Sequence, residues 1–333
     1  MEREICSNYY PKIIEIETTI NCPINPPCIM CDRAKIKESL LRKFIYRKDI
    51  HEKVINRLKP LLSNAETVSL HGLGEPLACK KLFKIIELIN PNAEIMFNSN
   101  GLMLNEKTID KILKSNIKTI SFSIDAATSE TYKKIRLDAF ERVINNISNL
   151  IKERNSNNKQ YPRILLNMTL MKENYREVID FVKLAKEINA DGVHFWPIKT
   201  DSIKKNIKKD FNFQIEEQKI DSYINKIKEY VRNAEKLANK ENLIFSFYGI
   251  NIKDASHKNP MPTYTNCNFP WNRIIVSLLG DVRFCCFSSV ILGNLKKNYF
   301  EEVWNSEKAI KIRDSMNKGI IPENCKCKVS MPY

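Results

Sequence analysis

Three cysteines, Cys22, Cys28 and Cys31, lie within ten residues of one another in the stretch TTINCPINPPCIMCDR (18–33). Three thiolates on one loop suit a metal centre that keeps one coordination position open. A closed structural zinc site wants four ligands, and a disulfide framework wants an even number. An iron–sulfur cluster held by three cysteines has such an open iron. The competing reading is a zinc loop completed by a remote ligand such as Cys6. Five more cysteines, Cys267, Cys285, Cys286, Cys325 and Cys327, fall in residues 267–333. Ten cysteines in a chain with no signal-peptide pattern at its start point to metal or redox chemistry in a reducing compartment.

These thiols must be positioned by regular elements. Short β-branched runs at 12–18, 67–72, 93–99, 117–125, 163–170 and 192–198 alternate with amphipathic stretches at 47–62, 79–90, 105–115, 139–153 and 174–188. In NEKTIDKILKSN, for example, Ile109, Ile112 and Leu113 share one helical face. Six strand–helix units in series predict an α/β fold with a parallel sheet and right-handed crossovers, with functional residues at the C-terminal ends of the strands. The cysteine loop follows the first strand and so lies at that end.

Other strand ends carry suitable groups. HGLGEPL places Gly74 for close backbone approach and Glu75 as a carboxylate able to hold an ammonium. NSNG (98–101) ends the third strand, and SFSIDA offers Ser123 and Asp125 to a ribose. TYKKIR adds Arg136 for a carboxylate, and LNMT brings Asn167 and Thr169. Taken singly, Glu75 and Asp125 read equally well as helix caps. Cys79 is either a hydrogen-atom donor or a small buried hydrophobe. His71 and His194 are either ligand contacts or satisfied core residues, and the Phe195–Trp196 pair either walls a pocket or packs the core.

The order and placement of the cysteine loop, GLGEP, NSNG and SIDAATSETYKKIR resemble the radical S-adenosylmethionine (SAM) enzymes over nearly the whole chain. The spacing here is C-x5-C-x2-C, where that family usually shows C-x3-C-x2-C. The two extra residues fall in PINPP, and Met30 keeps the bulky position before the last cysteine. The resemblance implies a partial (βα)6 TIM-like barrel in which Cys22, Cys28 and Cys31 bind a 4Fe-4S cluster. It assigns the SAM ammonium to Gly74 and Glu75, the carboxylate to Arg136 and the ribose region to Ser123 and Asp125. Met30, Asn98 and Asn167 complete the cofactor-binding set, with Met30 against the adenine.

The C-terminal segments CNFPWNRIIVSLLGDVRFCC, LGNLKK and EEVWNSEKAIKIRDSM resemble the auxiliary-cluster extension called SPASM, or twitch when shortened. A full extension has seven cysteines, whereas this one has five. The resemblance implies one auxiliary 4Fe-4S cluster on Cys267, Cys285, Cys325 and Cys327, with Cys286 able to replace Cys285 or a member of the final pair. A zinc knuckle on the same four thiols is the alternative. The expected organisation is a barrel core over 1–200, a bridging segment over 201–266 and a small hairpin-and-helix iron–sulfur domain over 267–333.

Composition narrows the partners. A hydrophobic fraction of 43% and a charged fraction of 28% suit a packed globular chain, and no apolar run is long enough for a membrane span. The net charge of +15 comes mostly from lysines spread over helix faces rather than one aromatic-interleaved stripe, so nucleic acid is not expected. A cytoplasmic location and a flavodoxin- or ferredoxin-type electron donor are expected.

The leading function is hydrogen abstraction by a 5′-deoxyadenosyl radical, leading to oxidation (dehydrogenation) of a small sugar- or cyclitol-like substrate. Arg163 and Asp254 are candidate bases, and Cys79 is the candidate hydrogen donor. The second reading is radical modification of a peptide: thioether formation, epimerisation or side-chain oxidation. The barrel motifs begin by residue 12, which argues against a leader-gripping domain ahead of them. A non-enzymatic iron–sulfur or zinc module is the third, and it leaves GLGEP, NSNG and SIDA unexplained.

Overall fold

Strand alternation in this chain separates an apolar face from a polar one, and that separation organises the fold. In β1 (Ile13–Glu17), Ile14 and Ile16 are fully buried while Glu15 and Glu17 project from the other face. In β5 (Arg163–Leu170), Ile164, Leu166, Met168 and Leu170 are fully buried and alternate with Arg163, Asn167 and Thr169. Each fully buried aliphatic side chain contributes about 2 kcal/mol of transfer free energy. The structure, a computed structural model, describes residues 3–31, 33, 48–198, 218, 220–248, 267–286, 288–320, 322 and 325. It divides into two units: Met1–Asn21 with Lys43–Phe97 and Asn259–Met331, and Cys22–Arg42 with Asn98–Lys258 and Pro332–Tyr333.

In the first unit β1 pairs in parallel with β2 (Thr67–His71), Glu17 lying opposite His71, and β2 pairs in parallel with β3 (Glu94–Ser99). The second unit holds a parallel run of four strands: β4 (Ile117–Ser123), β5, β6 (Gly192–Pro197) and β7 (Ile244–Phe247). This is the expected α/β architecture with a mostly parallel sheet, extended beyond six strands. The NLIFSFYGI segment supplies β7, which adds a parallel neighbour to β6.

The C-terminal hairpin supplies β8 (Arg273–Val276) and β9 (Asp281–Arg283), antiparallel to one another, and β10 (Gly293–Asn294) adds to β9. Its turn spans Ser277–Gly280, where Gly280 takes φ 90° and Asp281 already opens the second strand. β8 runs parallel to β1, Ile13 opposite Arg273. Glu15 fastens the three strands together: its Oε2 lies 2.9 Å from His71 Nε2 on β2, and its Oε1 pairs with Arg273 on β8. Burial pushes the Glu15 pKa up, but His71 and Arg273 outweigh it and hold the carboxyl below its ordinary range.

The C-terminal helix Glu307–Asn317 is locked by Arg313, which is fully buried. Its Nε donates to Pro270 O at 2.8 Å, and its Nη1 donates to Ile5 O at 3.1 Å and Trp304 O at 2.9 Å. Elsewhere the caps follow composition. Asn105 Oδ1 accepts from Thr108 N at the start of Glu106–Lys114, which buries Ile109, Ile112 and Leu113 as their spacing predicts. The helix Ser129–Ile135, capped by Thr128, has no counterpart in the helices expected from periodicity. Its seven residues are too few for a periodic signal, and it delivers Arg136 at its C-terminal end.

Candidate functional site

In the second unit the cysteine loop docks on the end of helix Ser129–Ile135 through Ile29 N, which donates to Ile135 O at 3.1 Å. Cys28 is 8% exposed, Cys22 and Cys31 are half-buried, and all three are free thiols. Burial pushes the Cys28 thiol up to about 11, with Arg136 pulling the other way and Cys31, Asp125 and Cys22 adding to the rise. Cys22 and Cys31 thus stand close enough to Cys28 to act on its charge.

Asp125 anchors the same unit. It follows β4 in a left-handed conformation, φ 63°, which Asp tolerates better than most residues. Its Oδ1 accepts from Thr169 N at 2.6 Å, and its Oδ2 accepts from Arg136 Nε at 2.8 Å and also from Nη2. Asp125 is therefore not a helix cap but the buried partner of a buried guanidinium. Burial opposes the charge on Arg136, but Asp125 more than compensates and raises its pKa. The remaining Arg136 nitrogen, Nη1, lies 3.6 Å from Cys28 Sγ.

Two residues with no distinguishing signal in the sequence hold this loop. Asn174, fully buried, donates from Nδ2 to Asp125 O at 2.8 Å and to Thr169 O at 2.9 Å. Glu177 accepts from Ala127 N at 2.7 Å and Thr128 Oγ1 at 3.0 Å. Ser123, the last residue of β4, lies opposite Asn167 of β5. Asn167 Oδ1 is buried without a hydrogen-bond partner among the described residues. An orphaned buried acceptor is costly and marks a place where a ligand donor fits.

NSNG divides its roles unexpectedly. Asn98 is exposed, whereas Asn100 is 5% exposed and donates from Nδ2 to Cys22 Sγ at 3.5 Å. Met30 is half-buried on the cysteine loop. Phe195 is fully buried against Phe181 and Phe245, as core packing requires. Trp196, on the opposite face, is 38% exposed and stacks on Tyr248 at 4.1 Å. His194 is pushed down to about 4 by burial and is neutral at physiological pH.

Arg163, a candidate base by sequence, stands at the N-terminal end of its strand. It opens β5, four residues before Asn167, so about 13 Å of strand separates the two. It lines a different cavity of about 450 Å³ with Lys186, Asp191 and Glu241.

In the first unit Glu75 is 3% exposed. Its N donates to Asn21 O at 2.6 Å, and its Oε1 accepts from Leu77 N at 3.3 Å, capping the short turn Pro76–Ala78. Gly74 is required there: a Cβ would come within 2.5 Å of the carbonyl oxygens of both Asn21 and Thr19. Cys79 is buried, donates to Thr18 O at 3.4 Å, and is pushed up to about 11 by burial, so its thiol stays protonated.

Of the C-terminal cysteines, Cys285 is 6% exposed, Cys286 is exposed, and Cys267 and Cys325 are half-buried. An isolated bridge joins Cys325 to Ser288, three residues after Cys285. Cys327 and Asp254 lie outside the described residues.

Among the described residues no three or more His, Cys, Asp or Glu side chains converge closely enough to hold one metal ion. Three thiols on one loop fit a 4Fe-4S cluster, which takes each cysteine on a different iron. With the unpartnered Asn167 Oδ1, this donor set fits a cluster carrying an organic ligand.

Comparisons with known proteins agree. The family model described as "Radical SAM superfamily" matches residues 16–185, and that of the SPASM "iron-sulfur cluster-binding domain" matches residues 267–328. A curated relative, the AdoMet-dependent heme synthase of Methanosarcina barkeri, is 27% identical over 321 residues, covering 91% of this chain and 85% of its own length. Among solved structures, Streptococcus suis SuiB bound to precursor peptide SuiA matches with TM-score 0.65 at 17% identity, over 91% of this chain and 67% of that one. The enzyme anSMEcpe, solved with AdoMet and the Cp18Cys peptide, matches with TM-score 0.62 at 16% identity, over 95% of this chain and 86% of that one. At those identities the structural matches speak for the fold.

Proposed function

The chain belongs to the radical SAM superfamily and carries a C-terminal SPASM iron–sulfur domain, and from that premise we propose that it oxidises a small, hydroxyl-rich molecule such as a sugar or cyclitol. Radical SAM enzymes use a 4Fe-4S cluster with SAM, and the SPASM domain adds an auxiliary iron–sulfur cluster. When bound, the reduced cluster and SAM supply a 5′-deoxyadenosyl radical that takes a hydrogen atom from the substrate.

The observation that carries the substrate class is the polar strand face. Packed barrels fill that face with Val, Ile and Leu. In the second unit it carries Thr119, Ser121 and Ser123 on β4 and Asn167 and Thr169 on β5, with Leu165 among them. Hydroxyl and amide groups on neighbouring strands suit a ligand rich in hydrogen-bonding groups. The heme synthase relative, matched over most of both chains, also acts on a small molecule by its name.

Cys22, Cys28 and Cys31 would hold the SAM cluster, and Cys267, Cys285, Cys325 and Cys327 one auxiliary 4Fe-4S cluster. Arg136 would face the SAM carboxylate, Ser123 and Asn167 would take its polar groups, and the family motif assigns its ammonium to Gly74–Glu75. His194, neutral and on the same strand face as Asn167, would offer an imidazole without a second charge. A flavodoxin- or ferredoxin-type protein would supply the electron.

The test is isotope transfer. The reconstituted chain is given SAM, dithionite and carbon-deuterated sugars, cyclitols or short peptides, and 5′-deoxyadenosine is analysed by mass spectrometry. Deuterium arriving from a sugar or cyclitol supports the proposal. Transfer from peptides alone would replace it with peptide modification.

A further inference from the structure

We propose that Asn100 and Arg136 donate N–H···S hydrogen bonds to the cluster cysteines Cys22 and Cys28, and so set how readily the SAM cluster accepts its electron, with Asp125 the positioning residue for Arg136. This rests on the cluster reading of Cys22, Cys28 and Cys31 above.

The geometry is specific. Asn100 Nδ2 stands 3.5 Å from Cys22 Sγ and Arg136 Nη1 stands 3.6 Å from Cys28 Sγ, both ordinary lengths for a donor to sulfur. Neither donor is free to turn away. Asn100 is 5% exposed, and its Oδ1 accepts from Leu102 N at 3.0 Å, which leaves the NH2 end towards the sulfur. The Arg136 side chain is 9% exposed, and Asp125 takes its Nε and Nη2, which leaves Nη1 for Cys28. Asp125 is itself held by Thr169 N and Asn174 Nδ2.

Reduction adds one negative charge to a cluster whose thiolate sulfurs share it. Donors aimed at those sulfurs stabilise the reduced form, and hydrogen bonding to sulfur is one of the levers that set iron–sulfur potentials. Burial strengthens the effect, because little water competes for the sulfur. Arg136 adds a full positive charge and should weigh more than Asn100.

The experiment uses full-length, anaerobically reconstituted protein. Wild type, Asn100→Leu, Arg136→Gln and Asp125→Asn are titrated with dithionite without SAM, following by EPR the signal that changes when SAM is later added. Each variant is expected to keep the wild-type iron content. Asn100→Leu and Arg136→Gln should titrate at a lower potential, by about tenfold in the reduction equilibrium for Arg136→Gln, ~59 mV for one electron, and by less for Asn100→Leu. Asp125→Asn, which releases Arg136 but also removes a nearby negative charge, is read by loss of the exchangeable coupling from Arg136. Exchangeable-proton couplings seen by ENDOR in H2O and absent in D2O should be reduced in Asn100→Leu and Arg136→Gln.

Asn100→Leu and Arg136→Gln proteins that load iron yet titrate at the wild-type potential would overturn the proposal, whatever happens to SAM affinity. If a variant fails to load iron, the wild-type ENDOR comparison decides, and absence of an exchangeable coupling also overturns it. If the wild-type cysteine loop binds no cluster, it is the cluster reading that fails, and the iron content reports this separately.

Discussion

Arg136 reaches Asp125 through two nitrogens that donate to one carboxylate oxygen, Nε at 2.8 Å, while the other oxygen takes Thr169 N at 2.6 Å. The pair connects the loop after β4 with the helix end on which the cysteine loop docks. It does so without exposing either charge, since Asp125 is 1% exposed. A buried pair of this kind is costly to break from one side, because the remaining charge is left without its partner.

Asp125→Ala should therefore lower stability by about 3 kcal/mol and weaken SAM binding at least about tenfold, ~1.4 kcal/mol. Urea denaturation and equilibrium dialysis with labelled SAM measure the two effects. Unchanged SAM affinity would remove Asp125 and Arg136 from the binding site.

Gly74→Ala should be poorly tolerated. The added methyl meets two backbone carbonyl oxygens at 2.5 Å, and backbone cannot yield as a side-chain tip can. A loss of about 2 kcal/mol or more is expected, in the range for overpacking, read as a lower urea midpoint. A variant as stable as wild type would mean that the turn after β2 is looser than its contacts imply.

The half-buried His194 makes stability depend on pH. Its folded pKa, about 4, lies below its ordinary 6.5. The unfolded state then binds the proton more readily. The contribution is complete above pH 6.5 and is lost as pH falls from 6.5 through 4, by up to roughly 3 kcal/mol. His194→Phe should flatten the fall in urea midpoint between pH 7 and pH 5 relative to wild type. An identical slope in both proteins would place the imidazole in water.

Burial separates the adjacent cysteines of the C-terminal domain. Cys285 is 6% exposed and three residues from the Ser288–Cys325 bridge, whereas Cys286 is exposed. Cys285→Ala should lose about four irons, one auxiliary cluster, while Cys286→Ala keeps them. Iron and sulfide analysis after reconstitution decides, and the reverse pattern would make Cys286 the ligand.

Much of this was legible in the sequence because the signals were local. β5 runs over the residues its alternation marks, Arg163–Leu170, and Asn105 caps the helix its chemistry announces. The cysteine loop declared itself through spacing alone. What escaped depended on distance in sequence. Nothing in IKIRDS says that Arg313 will be buried against the carbonyls of Pro270 and Ile5. Asn174 and Glu177 look like ordinary loop residues until the Asp125 loop folds onto them. In NSNG, Asn98 is exposed within β3, whereas Asn100 lies past the strand's end at Ser99, where the chain turns it inward to Cys22. Arg163 is a candidate base by residue type, and parallel topology puts it at the opposite end of β5 from Leu170.

The central claim is that Cys22, Cys28 and Cys31 hold the cluster that cleaves SAM. The direct measurement is iron content and 5′-deoxyadenosine formation, with dithionite and SAM under anaerobic conditions, in wild type and in a variant with all three cysteines changed to alanine. The account predicts about four irons fewer in the variant and no 5′-deoxyadenosine, against clear turnover in wild type. A variant that kept its iron and still formed 5′-deoxyadenosine, or a wild type that bound only zinc, would contradict it.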